Sequence, residues 1–139
     1  MDIDWDETFE VGVEIIDRQH RELLARLAAL AEAMRGSSRQ RIEVAINLVF
    51  KIVVGHLETE ETLMDSLRYP DARAHAREHA QMLAAFRALY ERLALEGPTA
   101  ELASELGLQV NGWLNDHVQQ TDKAFGDFLR AQSTRKTGT

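Results

Sequence analysis

The spacing of the histidines constrains the fold of this chain more than any other sequence feature. All five histidines lie beside apolar stripes, and two of them are followed four residues later by a second potential metal ligand. These pairs are His56 with Glu60 and His75 with His79. Because residues i and i+4 share one face of a helix, the pairs predict two helices that carry inward-facing ligands.

The apolar residues predict an all-α protein, an antiparallel up-down-up-down four-helix bundle. They recur at three- and four-residue spacing in four segments, as Leu23 and Leu27 do in the first segment. Short breaks at residues 36–38, 69–71 and 96–99 separate the segments. Short connections of this kind join antiparallel neighbours, and we expect Ser38 and Thr99 to cap the helices that follow them.

The chain length predicts one domain over residues 1–139. We expect a non-helical N-terminal arm at 1–16, in which apolar and polar residues alternate without a helical period. The bundle is predicted at about 17–129, and a polar tail at 130–139. In the arm, Trp5, Phe9 and Val11 are expected to pack on the core.

Composition excludes several functional classes. The formal net charge is −7 and no long cluster of Lys or Arg occurs, so nucleic acid is not an expected partner. The absence of cysteine excludes thiolate zinc and iron–sulfur sites, so any metal must have N and O ligands. No secretory signal or membrane-spanning apolar stretch is visible, which predicts a cytoplasmic location without membrane association.

Candidate metal ligands occur in all four predicted helices. They are His20, His56, Glu60, His75, His79, His117 and Asp122. A lone histidine on an apolar face is more often a core residue than a ligand, but this set indicates a pair of metal ions, which carboxylates commonly bridge. Glu60 would be costly to bury without a cation. His117 and Asp122 are separated by roughly 140° on an ideal helix, so they converge only if the turn is widened or the carboxylate reaches across.

The types of candidate ligand help to distinguish between classes of two-metal centre. Ferritin-like sites use Glu-x-x-His motifs on two helices, and here only Asp17-x-x-His20 resembles that motif. The predicted site is rich in histidine and poor in carboxylate, so it supplies little negative charge to stabilise high-valent iron. Such a site favours a metal that binds small molecules reversibly.

Other polar and small residues are interpreted without a functional role. Glu61 is expected on a solvated face, and Glu78 is expected to point outward between the inward-facing His75 and His79. Trp113 is expected in the core. Gly55 and Gly112 lie inside predicted helices, where close helix approach and ordinary packing are equally good explanations.

Short stretches throughout residues 5–129 carry a more specific pattern. They are Trp5-Asp6, residues 11–13 (VGV), 16–20 (IDRQH), 56–64 (HLETEETLM), 69–70 (YP), 75–79 (HAREH) and 113–117 (WLNDH), with Asp122. The set resembles the hemerythrin family, specifically its bacterial single-domain members. The combination is highly specific, although an HxxxH pair alone would be weak.

The resemblance implies a non-haem centre of two Fe ions, oxo- or hydroxo-bridged, that binds O₂ reversibly. By position, the histidines of the third and fourth helices would hold one iron. His20 and His56 would hold the other and leave an open position for O₂, while Glu60 and Asp122 would bridge the two irons. Many relatives have an aromatic residue where this chain has Met82, a softer side chain that would leave a wider pocket.

The expected function is therefore O₂ binding for storage, delivery or sensing, without enzymatic activity. Alternatives are a di-iron redox enzyme or sensor acting on NO or peroxide, and a scaffold that stores iron or has lost its metal. No acid or base beyond the candidate ligands is visible, which favours binding over catalysis. The sequence identifies no protein partner. The predicted wall of the O₂ pocket is Leu24, Ile52, Val53, Val110 and Leu114.

Overall fold

Four helical rods make up the structure, a computed structural model that describes residues 5–36 and 38–137, with side chains as far as Gln132. Helix α1 spans Glu14–Gly36, α2 spans Arg39–Ser66 and α3 spans Ala72–Glu96. The fourth rod has three consecutive segments: α4 (Ala100–Gly112), a π-helical segment (Trp113–Asp122) and α5 (Lys123–Thr137). The backbone stays right-handed helical through both junctions.

The rods pack as the predicted antiparallel four-helix bundle. Helix α1 packs against α2 and α4, α2 against α3, and α3 against α4 and the π-helical segment. Each rod contributes buried apolar side chains to one core, among them Leu23, Val49, Phe86 and Leu102. Within the described residues there is no strand, and none of the helices combines the length and hydropathy that crossing a membrane requires. The all-α prediction is thus confirmed.

Two predicted caps are formed by the expected side chains. The Ser38 hydroxyl accepts a hydrogen bond from Arg41 N at 3.3 Å, and the Thr99 hydroxyl accepts one from Leu102 N at 3.1 Å. Each satisfies one of the backbone amides that a helix N-terminus leaves without a partner. These caps explain why α2 and α4 begin where they do.

Helix α1 begins at Glu14, three residues before the predicted start at Asp17. The cause is the Asp17 carboxylate, whose two oxygens accept hydrogen bonds from Val11 N at 2.8 Å and Gly12 N at 3.1 Å. Gly12 has φ +87°, a left-handed conformation that turns the arm into the helix. The arm also contains a short 3₁₀ helix at Glu7–Phe9, so it is not wholly irregular.

The C-terminal rod extends beyond the predicted end near Leu129. Helix α5 continues to Thr137, because no Gly or Pro occurs between Leu129 and that residue. The expectations for residues 1–4 and 138–139 lie outside the described residues.

The arm lies directly on α5 at Gly126. A Cβ atom at this buried glycine would lie 2.5 Å from the carbonyl oxygen of Val11, closer than a non-bonded carbon and oxygen can approach. Of the two explanations left open for Gly55 and Gly112, close helix approach does not apply: a Cβ at Gly55 would meet nothing within 4 Å, and one at Gly112 would meet only an Asp116 oxygen at 4.0 Å. Packing requires a glycine at Gly126, which sequence reasoning did not single out.

Candidate metal centre

The seven candidate ligands lie together at the centre of the bundle. Helix α1 contributes His20, α2 contributes His56 and Glu60, α3 contributes His75 and His79, and the π-helical segment contributes His117 and Asp122. Each of these residues is at most 3% exposed. All four rods therefore present polar ligand atoms to a single point inside an apolar core.

The ligand atoms fall into two overlapping groups. One group contains three histidines, His75, His79 and His117, and the other contains His20 and His56. Glu60 and Asp122 belong to both groups, and the ligand atoms within each group lie within 4.8 Å of one another. The arrangement has room for two ions that share both carboxylates.

Asp122 divides its two carboxylate oxygens between the groups. Its Oδ2 lies 3.0 Å from His20 Nε2, whereas its Oδ1 lies 2.9 Å from His75 Nε2 and 3.1 Å from His117 Nε2. This is the orientation of a carboxylate that bridges two ions.

Glu60 faces the same centre from α2. Its Oε1 lies 3.1 Å from His56 Nε2 and 3.4 Å from His79 Nε2, two atoms of different groups. Its Oε2 lies 3.7 Å from His75 Nε2. The carboxylate is thus within reach of both halves of the centre.

The ligand atoms are buried without hydrogen-bond partners. Among the described residues, the Nε2 atoms of all five histidines and all four oxygens of Glu60 and Asp122 are in this state. Burying so many unsatisfied polar atoms is costly, and native proteins avoid it unless a ligand or ion satisfies them. An N- and O-donor set of this kind fits two borderline cations such as iron.

The electrostatics of the centre also favour cations. Burial opposes ionisation of Glu60, but attraction to the nearby rings of His56, His75 and His79 outweighs it and holds the pKa of this carboxyl well below its usual range. Asp122 likewise has a lowered pKa, because attraction to the rings of His117, His20 and His75 exceeds the effects of burial and of the Glu60 charge. Burial also opposes protonation of His75, yet attraction to the carboxylates of Asp122 and Glu60 raises its pKa to about 9. A cation bound at this nitrogen would take the place of the proton that the two carboxylates favour.

The π-helical segment explains how His117 joins Asp122. On a regular helix, residues five apart diverge by roughly 140°. The wider π turn brings His117 Nε2 to 3.1 Å from Asp122 Oδ1. Of the two possibilities left open by the sequence, the turn is widened, which is a frequent device at functional sites.

The outer ring nitrogens of three histidines have partners that orient the rings. With Nε2 turned inward, Nδ1 carries the proton and donates it. His79 Nδ1 lies 3.4 Å from Glu61 Oε2, and His117 Nδ1 lies 3.2 Å from Glu78 Oε1. Glu61 and Glu78 are partly exposed, as expected, but each also orients a histidine ring, a role that sequence reasoning missed.

A third partner, Gln19, was also missed by sequence reasoning. Its Oε1 lies 2.7 Å from His56 Nδ1, and its Nε2 donates to Thr59 Oγ1 at 3.4 Å. The available signal was its position beside a candidate ligand, His20. In the two-histidine group, the outer nitrogen of His56 thus faces a neutral amide. In the three-histidine group, the outer nitrogens of His79 and His117 face carboxylates.

Tryptophan rings flank His20, the ligand that α1 contributes. The Trp113 ring meets the His20 ring edge-on at a centroid distance of 5.6 Å, and the Trp5 ring lies 6.4 Å away. Trp113 is buried, as predicted for a core residue, and it also contacts the metal centre. The arm therefore covers one side of the two-histidine group.

A cavity of about 280 Å³ adjoins the metal centre. His56 and His117, one from each group, are part of its wall. Val53 and Val110 line it as predicted, whereas Leu24, Ile52 and Leu114 do not. Helical spacing from a ligand predicts which face of a helix a residue occupies, but it does not predict which neighbouring helix encloses the space beside it. Met82 also lines the cavity.

Comparison with known proteins agrees with this geometry. Residues 11–129 match the family model of the hemerythrin HHE cation binding domain. A bacteriohemerythrin of Stenotrophomonas maltophilia is 28% identical over 91% of this chain and 81% of its own length. A bacteriohemerythrin of Methylococcus capsulatus is 27% identical over 88% and 92%, and a myohemerythrin of Theromyzon tessulatum is 27% identical over 85% and 86%.

Proposed function

The chain belongs to the hemerythrin family, whose members bind O₂ at a non-haem di-iron centre and are not enzymes, and on that premise we propose that it binds O₂ reversibly. The irons would be held by the seven buried residues of the metal centre. Storage, delivery and sensing of O₂ share this binding step. Bound ferrous iron would supply the electrons that the binding of O₂ requires.

The observation that carries the proposal is the asymmetry between the two ligand groups. One group has three histidines and the other has His20 and His56, while both share Glu60 and Asp122. If an oxo or hydroxo group formed a third bridge, the iron held by His20 and His56 would have one protein ligand fewer than its neighbour. An open coordination position is what a metal needs to bind a small molecule.

The protein surroundings of the open position favour stable binding of O₂ over its release as a reduced species. The neighbouring cavity wall includes the buried apolar residues Val53, Leu57 and Val110. An apolar wall slows the entry of water and protons, which prolongs the lifetime of the oxygenated form.

A visible spectrum under controlled gas tests the proposal. Protein expressed with ample iron is analysed for metal, reduced under argon, exposed to air and returned to argon. We expect close to two irons per chain, a nearly colourless reduced form, a visible absorption band in air and its loss under argon. A prompt and irreversible oxidation without an oxygenated form, even with rapid mixing, would contradict O₂ carriage and leave a redox activity toward NO or peroxide as the better proposal.

The cytoplasmic location is also part of the proposal. Iron-loaded protein in the soluble fraction of gently lysed cells, separate from periplasmic and membrane fractions, supports it. Recovery from either of those fractions would contradict it.

A further inference from the structure

The cavity beside the metal centre is larger than O₂ requires. Its volume is about 280 Å³, whereas an engineered apolar cavity of about 150 Å³ in another protein holds benzene. Its wall includes His56 and His117 but not the other five residues of the centre. The cavity is therefore a separate space next to the centre, and not the space that the ions themselves would fill.

The inner wall of this cavity is buried and apolar. It consists mainly of Leu23, Leu27, Val53, Leu57, Leu106 and Val110. The rings of Phe86 and Trp113 join this wall and can make edge or offset contacts with another ring. Water is held poorly by such a wall because it needs two to four polar partners, so an apolar occupant is favoured.

The mouth of the cavity lies between α3 and the fourth rod, and it is polar. Gln81 on α3 and Asp116 on the π-helical segment are exposed there, with Glu78 and Gln109 half-buried beside them. Two of these four side chains are carboxylates. In a chain of net charge −7, they disfavour an anionic occupant, which would also lose its hydration on entry.

From the size, wall and charge of the cavity, we infer that it binds one uncharged aromatic molecule of one or two rings beside the metal centre. Binding of this molecule requires no iron. The bound molecule lies between the mouth and the two histidines, so it obstructs entry of O₂ to the irons. This effect on O₂ entry rests on the proposed function.

Indole and indole-3-acetate test the inference as a matched pair, because they share both rings and differ by a carboxylate. Iron-loaded protein under argon is titrated with each by calorimetry and by saturation-transfer NMR. We expect saturable one-to-one binding of indole and affinity for indole-3-acetate lower by about tenfold or more. No saturable binding of indole, or equal affinity for the two molecules, would overturn the inference.

Two exposed alanines on α3 provide a matched pair of variants. Ala85 lines the cavity and Ala88 does not, so a tryptophan at either position leaves the core intact. We expect Ala85→Trp to weaken indole binding by about tenfold or more and Ala88→Trp to leave it unchanged. Val53→Phe, which fills the inner wall, is the second measurement. Unchanged affinity in both Ala85→Trp and Val53→Phe, or an equal loss in Ala88→Trp, overturns the location.

Formation of the oxygenated form on the same samples separates this inference from the proposed function. Indole binding without an oxygenated form would leave the cavity site standing and remove O₂ carriage. An oxygenated form without indole binding would remove the cavity site alone. Where both occur, saturating indole should slow the appearance of the visible band several-fold, and an unchanged rate would show that the occupant does not lie on the O₂ route.

Discussion

His117 Nε2 lies 3.1 Å from Asp122 Oδ1, although five positions of sequence separate the two residues. The π-helical segment Trp113–Asp122 makes this possible, because its wide turn places residues i and i+5 on one face. Asp122 also reaches His20 on α1 and His75 on α3. The widened turn therefore links three of the four rods at the metal centre.

Changing the register of this segment should abolish the paired site when a residue is inserted but preserve it when a residue is deleted. Inserting an alanine after the exposed Gln120 rotates Asp122 by roughly 100° away from His117, and we expect loss of the paired site. Deleting Gln120 gives the four-residue spacing that shares a face on a regular helix, so two irons should remain. Iron analysis and circular dichroism measure both results; equal iron content in the two variants would contradict this role of the π turn.

Removing a shared carboxylate should be more damaging than removing a histidine that serves one ion. Glu60 belongs to both ligand groups and His20 to one. We expect Glu60→Ala to lose both irons and His20→Ala to retain about one. Two irons and O₂ binding in Glu60→Ala would refute the bridging role.

Iron removal should lower the melting temperature. The apo-protein keeps nine ligand atoms of the described residues buried without partners, whereas bound ions satisfy them in the native state alone. We expect the transition to fall by about 5 °C or more, which corresponds to roughly 1.5 kcal/mol of unfolding free energy. Reloading with iron is the control, and identical melting curves would count against a buried site.

Two glycine-to-alanine substitutions should change stability in opposite directions. At Gly126 the new Cβ would overlap the Val11 carbonyl, so Gly126→Ala should cost about 1–3 kcal/mol. At Gly55 the new Cβ meets nothing within 4 Å, and Gly55→Ala should stabilise α2 by about 1 kcal/mol. Urea unfolding measures both; a neutral Gly126→Ala would show that the arm does not pack closely on α5.

A hydroxyl in the cavity wall should shorten the lifetime of the oxygenated form. Val110 lines the cavity next to the centre, whereas the equally buried Val49 does not. Val110→Thr keeps the side-chain shape and admits water, so we expect faster autoxidation in air than in Val49→Thr. The decay of the visible band measures the autoxidation rate. Equal rates in the two variants would show that this wall does not protect the O₂ position.

The sequence by itself determined which faces of α2 and α3 carry the candidate ligands. His56 with Glu60 and His75 with His79 are i and i+4 pairs, and helical periodicity is a local property of the chain. The capping of α2 by Ser38 was predictable for the same reason, since a cap bonds to amides within the next three residues.

Only the tertiary structure decided how these faces meet. The choice of a π turn before Asp122 depends on contacts with α1 and α3, which lie far away in sequence. The same holds for Glu61 and Glu78: helical spacing placed them outside the ligand face, but histidine rings from other helices turn their outer nitrogens toward them. The cavity wall is likewise drawn from all four rods, because packing between helices, not periodicity within one, determines which side chains enclose a space.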